Sequence, residues 1–112
     1  MGKAWFLESV AADGTHLTQP IQRLPFGVGR DPGNDLALEL FGLSRQHARI
    51  ERRRDKFFLI DQSTNGTFVL VAGEAEITLR REEMMLRASG HIAFGRSAGE
   101  VNAETVGFSL LG

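Results

Sequence analysis

The chain contains no cysteine. Disulfides and thiolate metal sites are therefore excluded. The absence fits a reducing compartment, and the cytoplasm is the expected location. No stretch approaches the roughly 18 apolar residues of a membrane-spanning helix, so no membrane partner is expected. An excess of charge of one sign is missing too: Lys and Arg number 13 against 14 Asp and Glu, for a net charge of −1. That balance argues against a nucleic-acid partner. His16, His47 and His91 fall in separate regions and lack ligand spacing, so no metal is expected. Gly27-Val28-Gly29-Arg30 does not supply the Walker pattern for a nucleotide cofactor, and no cofactor of any kind is expected. The N-terminus meets an acid at Glu8 before an apolar run forms, so no signal peptide is expected. Internal repeats, low-complexity tracts and linkers are not apparent. With 112 residues there is enough chain for one core and too little for two, so one domain over residues 1–112 is expected.

What the sequence does have is punctuation. Thirteen glycines and three prolines separate short runs rich in Val, Ile, Phe and Leu. That pattern predicts an all-β sandwich of roughly ten short strands. The expected strands begin with Lys3–Val10, closed by a turn at Asp13-Gly14, then Ile21–Leu24 and Phe26–Gly29, split by Pro25. Leu36–Leu38 follows a loop of turn residues, Asp31 to Asp35. Ala48–Arg53 alternates, with Ala48 and Ile50 on one face and Arg49 and Glu51 on the other. Phe57–Ile60 is apolar on both faces and reads as a central strand. Thr67–Val71, Glu76–Leu79, Met85–Arg87, His91–Phe94 and Thr105–Leu110 complete the set, with Val106, Phe108 and Leu110 inward. Leu79–Leu86 reads alternatively as a helical turn, because Arg80 to Met84 are good helix formers. The basic run Arg52 to Lys56 falls where a hairpin must turn and reads as solvated.

Three successive loops carry the chemistry. Arg30 follows Gly29 at a strand end, and a guanidinium offers a planar fork that grips two phosphate oxygens. Taken alone, Arg30 reads more readily as a surface arginine making no specific contact. Ser44 supplies a hydroxyl beside a second cation, Arg45, in the loop before Ala48. His47 enters the strand and is expected to point back, bracing the loops through its ring nitrogens. Thr64-Asn65-Gly66 adds a hydroxyl and an amide, although Asn-Gly is also a strong hairpin signal in itself. The set has one fixed cation, two hydroxyls and an amide, with no carboxylate among them. It suits a phosphate dianion carried by a macromolecule and does not suit bond-breaking. Reading Ser44 and His47 as nucleophile and base ranks low: no matching acid orients the histidine, and no nucleophile-elbow motif frames Gly66. An enzyme is therefore not expected.

These residues resemble the forkhead-associated (FHA) domain family. The match consists of G-R at Gly29-Arg30, N-D at Asn34-Asp35, S-R-x-H from Ser44 to His47, and D-x-S-T-N-G-T from Asp61 to Thr67, in register over residues 27–69. The resemblance implies an eleven-stranded β-sandwich of the FHA/SMAD type that binds a phosphothreonine peptide or protein, in cis or in trans, through loops at one end. It implies that Arg30, Ser44 and Thr64, with Arg45, meet the phosphate and that Asn65 holds the peptide backbone on the C-terminal side. Gly29, His47 and Gly66 are implied to be architectural. Regions near Phe41-Gly42-Leu43 and Ser97 to Asn102 would read the third residue after the phosphothreonine. They carry little charge beyond Glu100, so a weak or apolar preference is expected. The charged stretch Glu74–Glu83, with Leu86 to His91, is similar to FHA domains appended to bacterial nucleotide cyclases, which makes a host catalytic domain a candidate partner. The alternative is an FHA domain that docks or dimerises without phosphate.

Overall fold

The computed structural model describes residues 4–10, 16–21, 24–38, 42–87, 89–95, 97 and 105–111. Among these residues eleven strands form two sheets: β1 Ala4–Val10, β2 His16–Pro20, β3 Phe26–Gly29, β4 Leu36–Ala37, β5 Ala48–Arg53, β6 Lys56–Asp61, β7 Thr67–Val71, β8 Ile77–Leu79, β9 Glu83–Leu86, β10 Gly90–Phe94 and β11 Thr105–Leu111. One sheet has the order β2-β1-β11-β10-β7-β8, the other β4-β3-β5-β6-β9. Among the described residues only the short β3–β4 pair is parallel.

Period-two patterning builds the core. Phe26 and Val28 of β3, Ile50 of β5 and Leu59 of β6 point inward from the five-stranded sheet. Val69 of β7, Ile92 of β10 and Val106 and Phe108 of β11 meet them from the six-stranded sheet. Each such side chain contributes about 1.5–3 kcal/mol by leaving water. The outward positions of β5 are polar: Arg49 pairs with Glu51 at 2.6 Å, and Arg53 grips Glu83 of β9 through two contacts of 2.6 and 2.8 Å. Arg53 also lies 4.6 Å from the ring centroid of Phe58, which explains how β6 can be apolar on both faces.

Three expectations are corrected. The second strand is His16–Pro20, not Ile21–Leu24, because His16 to Pro20 pair residue by residue with Val10 to Phe6. Ile21 is 7% exposed, so its apolarity marks a core position just past the strand end. Leu79–Leu86 is not helical: Arg81 has φ of 59°, which reverses the chain, and Glu83–Leu86 pairs with β6. The ninth strand accordingly ends at Leu86 rather than Arg87. Lys3, the Asp13-Gly14 turn and the Leu110 side chain lie outside the described residues.

The strand ends at Gly29, Ala48, Asp61, Thr67, Leu79 and Phe94 gather at one end of the sandwich. The connections that carry Arg30, Ser44 and Thr64 therefore share that end.

Candidate functional site

Backbone hydrogen bonds lock the first two loops together. Arg30 N–H donates to Ser44 O at 3.0 Å and Asp31 N–H to Arg45 O at 3.2 Å. His47 N–H donates to Val28 O at 2.9 Å. Such close approach leaves no space at Gly29, where an added Cβ would stand 2.0 Å from the Arg45 carbonyl oxygen. The Asn34 side chain ties the same crossing by donating to Asp31 O and Arg45 O at 3.0 and 2.8 Å. Asp35 accepts from Gly27 N–H at 2.8 Å and fixes the loop base. The sequence motif included Asn34 and Asp35, but their bracing becomes visible only when residues 11 positions apart meet.

His47 joins the second loop to the third. Its ring is fully buried. Ser44 N–H donates to Nδ1 at 3.0 Å, so Nδ1 carries no proton. Nε2 therefore carries it and donates to Gly66 O at 2.9 Å. Burial pushes the imidazole below the ordinary histidine value, against the opposing pull of the Gly66 carbonyl and of Asp61. The neutral ring also stands edge-on to Phe94, with centroids 5.1 Å apart. Both nitrogens are committed to backbone, so neither is available to take a proton from Ser44.

The Thr64 segment is not a hairpin turn, as Asn-Gly would suggest. β6 belongs to one sheet and β7 to the other, and the segment crosses between them. Only Gly66 takes a positive φ, at 92°. A buried cluster shapes the crossing. Asp61 is 3% exposed and accepts from Ser63 and Thr67 hydroxyls at 2.6 Å each and from Arg81 N–H at 2.9 Å. Burial alone would raise its pKa, but the hydrogen bonds from Arg81, Ser63 and Thr67 outweigh that and hold it below the usual carboxylate range. Ser63 Oγ in turn accepts from Gly66 N–H at 2.8 Å, and Arg81 Nε donates to Ser63 O at 3.0 Å. Sequence reasoning assigned no role to Asp61, Ser63 or Arg81. For Asp61 the available signal was a carboxylate ending the apolar strand β6.

The outward groups then fall in order. Ser44 Oγ accepts from Thr64 N–H at 3.2 Å, which sets the two hydroxyl-bearing residues side by side. Asn65 is exposed and donates to Gly42 O at 3.1 Å. Arg30 and Arg45 are exposed and line one open depression with Asp31 and Pro32. Neither arginine is in a salt bridge among the described residues. The carboxylate in that wall, Asp31, is turned onto Gly33 N–H at 2.9 Å. The loop end thus gathers two exposed cations that form no salt bridge among the described residues, two hydroxyls and an amide on a scaffold of fixed backbone, a donor set whose chemistry suits an anion. Residues 41 and 98–102, expected to read the third peptide position, lie outside the described residues.

This architecture recurs in solved structures. The Mycobacterium tuberculosis Rv1747 FHA-1 domain is similar at 16% identity and a TM-score of 0.69, covering 98% of both chains. The FHA domain of CT664 from Chlamydia trachomatis is similar at 25% identity and a TM-score of 0.61, covering 97% of both. The yeast Dun1 FHA domain, solved with a doubly phosphorylated peptide derived from Rad53, is similar at 22% identity and a TM-score of 0.66, covering 97% of this chain and 75% of that one. No curated protein matches the chain. The FHA domain family model matches residues 26–95, well over half of the sequence and all three loops, and the chain belongs to that family.

Proposed function

We propose that this chain is a phosphothreonine-binding module that mediates phosphorylation-dependent protein–protein interaction in signalling, with residues 1–112 acting as one unit. The observation that carries the reading is the pair Arg30 and Arg45 on one depression, without a carboxylate partner, beside Ser44 and Thr64. A phosphothreonine brings a charge of about −1.5 to −2 and three acceptor oxygens, which such a donor set matches. Arg30, Arg45, Ser44 and Thr64 hold the phosphate. Asn65, already within reach of one backbone carbonyl at Gly42, holds the peptide main chain. Gly29, His47 and Gly66 shape the loops. The partner is a protein carrying the phosphothreonine in cis or in trans. The phosphopeptide bound to the yeast Dun1 domain supports the assignment by analogy. Catalysis is a poor fit, because His47 is buried, neutral and saturated by backbone.

One peptide titrated with threonine, phosphoserine and phosphothreonine at two ionic strengths tests the proposal. The two phosphorylated forms share their dianion, so the methyl group decides between them. Its burial is worth about 0.8 kcal/mol, and the stiffer χ1 of threonine adds to this. Phosphothreonine is expected to bind severalfold to tens of fold more tightly than phosphoserine, and salt to weaken both. Threonine itself should show no measurable binding. Equal affinity for the unphosphorylated peptide would replace this reading with phosphate-independent docking.

A further inference from the structure

The arginines divide by location. Three on the flanks are paired, Arg49 with Glu51, Arg53 with Glu83, and Arg87 with Glu74 at 2.8 Å, while Arg52 and Arg54 of the far β5–β6 hairpin form no salt bridge among the described residues and lie remote from the site. At the loop end, Arg30, Arg45, Arg80 and Arg81 form no salt bridge among the described residues. Arg81 spends its Nε on Ser63 O and fixes the Thr64 segment from behind. Arg80 has no such structural duty. Its guanidinium lies 5.9 Å from the Phe68 ring centroid, on the outer side of β7. One of its terminal nitrogens stands 3.5 Å from where a Cβ of Gly66 would be. Glu82, the nearest carboxylate in sequence, accepts from Arg80 N–H at 3.2 Å and leaves the guanidinium free. Residue 66 has no side chain to cover that cation, and residue 65 is the amide assigned to the peptide backbone.

We propose that Arg80 is a specificity residue: it reads an acidic side chain on the C-terminal side of the phosphothreonine. This deepens the phosphopeptide reading and rests on it. Contacts link these groups: Arg30 N–H reaches Ser44 O, Thr64 N–H reaches Ser44 Oγ, and Gly66, next to Asn65, stands against the Arg80 guanidinium. A peptide anchored by its phosphate at Arg30 and Arg45 and by its backbone at Asn65 continues past Gly66 toward an uncompensated cation. Phe68 holds the guanidinium in place by its ring face, so less side-chain freedom is lost when a carboxylate arrives. The favoured partners are therefore threonine sites followed by Asp, Glu or a second phosphate. The loops near residues 42 and 97–102 suggested no such preference, because the cation comes from the β8–β9 turn.

The test is a titration series on a phosphothreonine peptide with alanine at the five following positions. Aspartate, then lysine, is placed at each position in turn. Exposed ion pairs contribute modestly, so aspartate at one position should tighten binding about two- to fivefold at low salt and less at high salt. Arg80→Ala should abolish that gain, and Arg80→Glu should transfer it to lysine. Arg54→Ala, the same charge change at the far end of the sandwich, should preserve it. A wild-type domain that binds phosphothreonine equally well with aspartate or alanine at every position overturns the assignment of Arg80 alone. So does a gain that survives in Arg80→Ala. A folded domain that binds none of the phosphopeptides overturns the proposed function together with this inference.

Discussion

At the scale of single residues, the site separates groups that face outward from groups that hold them. Arg30 makes its hydrogen bond through its backbone N–H and keeps its guanidinium exposed. Arg30→Ala should therefore fold normally and lose phosphopeptide binding by more than tenfold, since charge-assisted hydrogen bonds contribute about 1.5–3 kcal/mol each. Arg30→Lys should recover little, because an ammonium cannot present a planar fork. Calorimetric titration with matched melting curves checks both, and unchanged affinity in Arg30→Ala would move the phosphate elsewhere. His47 is the opposite case. His47→Ala removes a fully buried ring and strands Ser44 N–H; Gly66 O keeps the Gly95 N–H at 2.9 Å. A loss of about 3 kcal/mol is expected from cavity and unsatisfied donor together, seen as a fall in Tm of about 10 °C or more. Binding should weaken as a consequence. A variant that melts like wild type but binds nothing would make His47 a contact residue.

At the scale of elements, the hairpin and the crossover do different work. The β5–β6 hairpin turns through Arg54, whose φ of 63° is unfavourable for a residue with a Cβ. Arg54→Gly should stabilise the fold by roughly 0.5–1 kcal/mol, and denaturant titration reads it directly. Affinity for phosphopeptide should not change, since this turn lies at the end of β5 and β6 away from Ala48 and Asp61. Arg81 has a similar φ of 59°, but there the strained turn aims two donors at Asp61 and Ser63. Strain at the far hairpin is dispensable, whereas strain beside the site sets the Thr64 segment in place. The charged stretch from Glu74 to Glu83 folds into β8, its flanking turns and the first residue of β9. It ties down through Glu74 to Arg87 and through Glu76 to Ser97 at 2.8 and 2.9 Å.

For the whole molecule, two buried titratable groups contribute to the response to pH. The folded His47 has a lower pKa than the unfolded ring, chiefly because it is buried, so the unfolded chain binds a proton that the native state refuses. Stability is full above the ordinary value of 6.5 and falls as pH drops below it. The folded Asp61 is also lowered, because its hydrogen bonds outweigh its burial. Its contribution is present above the ordinary value of 3.8 and is lost as pH falls through the folded value. Chemical denaturation from pH 8 to pH 3 should show a first decline near pH 6 and a second below pH 4, both approximate positions set by ordinary His and Asp values. His47→Ala should remove the first decline only. A flat profile between pH 8 and pH 5 in the wild type would mean that His47 takes up its proton as readily in the fold as in the unfolded chain.

Much of this was legible in the sequence because it depends on period and local chemistry. Alternation such as Ala48-Arg49-Ile50-Glu51 dictates a half-buried strand wherever it occurs, and glycine beside arginine at a strand end marks a tight approach. The order of the G-R, S-R-x-H and T-N-G-T segments likewise placed Arg30, Ser44 and Thr64 on loops. The sequence could not show which loops meet. Asn-Gly chose no hairpin, because its flanking strands belong to different sheets and pair elsewhere. Ile21 looked like a strand because burial and strand pairing leave the same apolar mark. The roles of Asp61, Ser63 and Arg81, and the position of Arg80 against Gly66, arise from contacts 14 to 20 residues apart. Those contacts exist only once both sheets have packed, since a buried carboxylate is tolerable only where distant donors converge on it. The sequence by itself determined which loops carry the exposed cations, hydroxyls and amide, because motif order and period are local; the packing of the two sheets decided what keeps them in place and set the Arg80 cation against Gly66, because those contacts join distant segments.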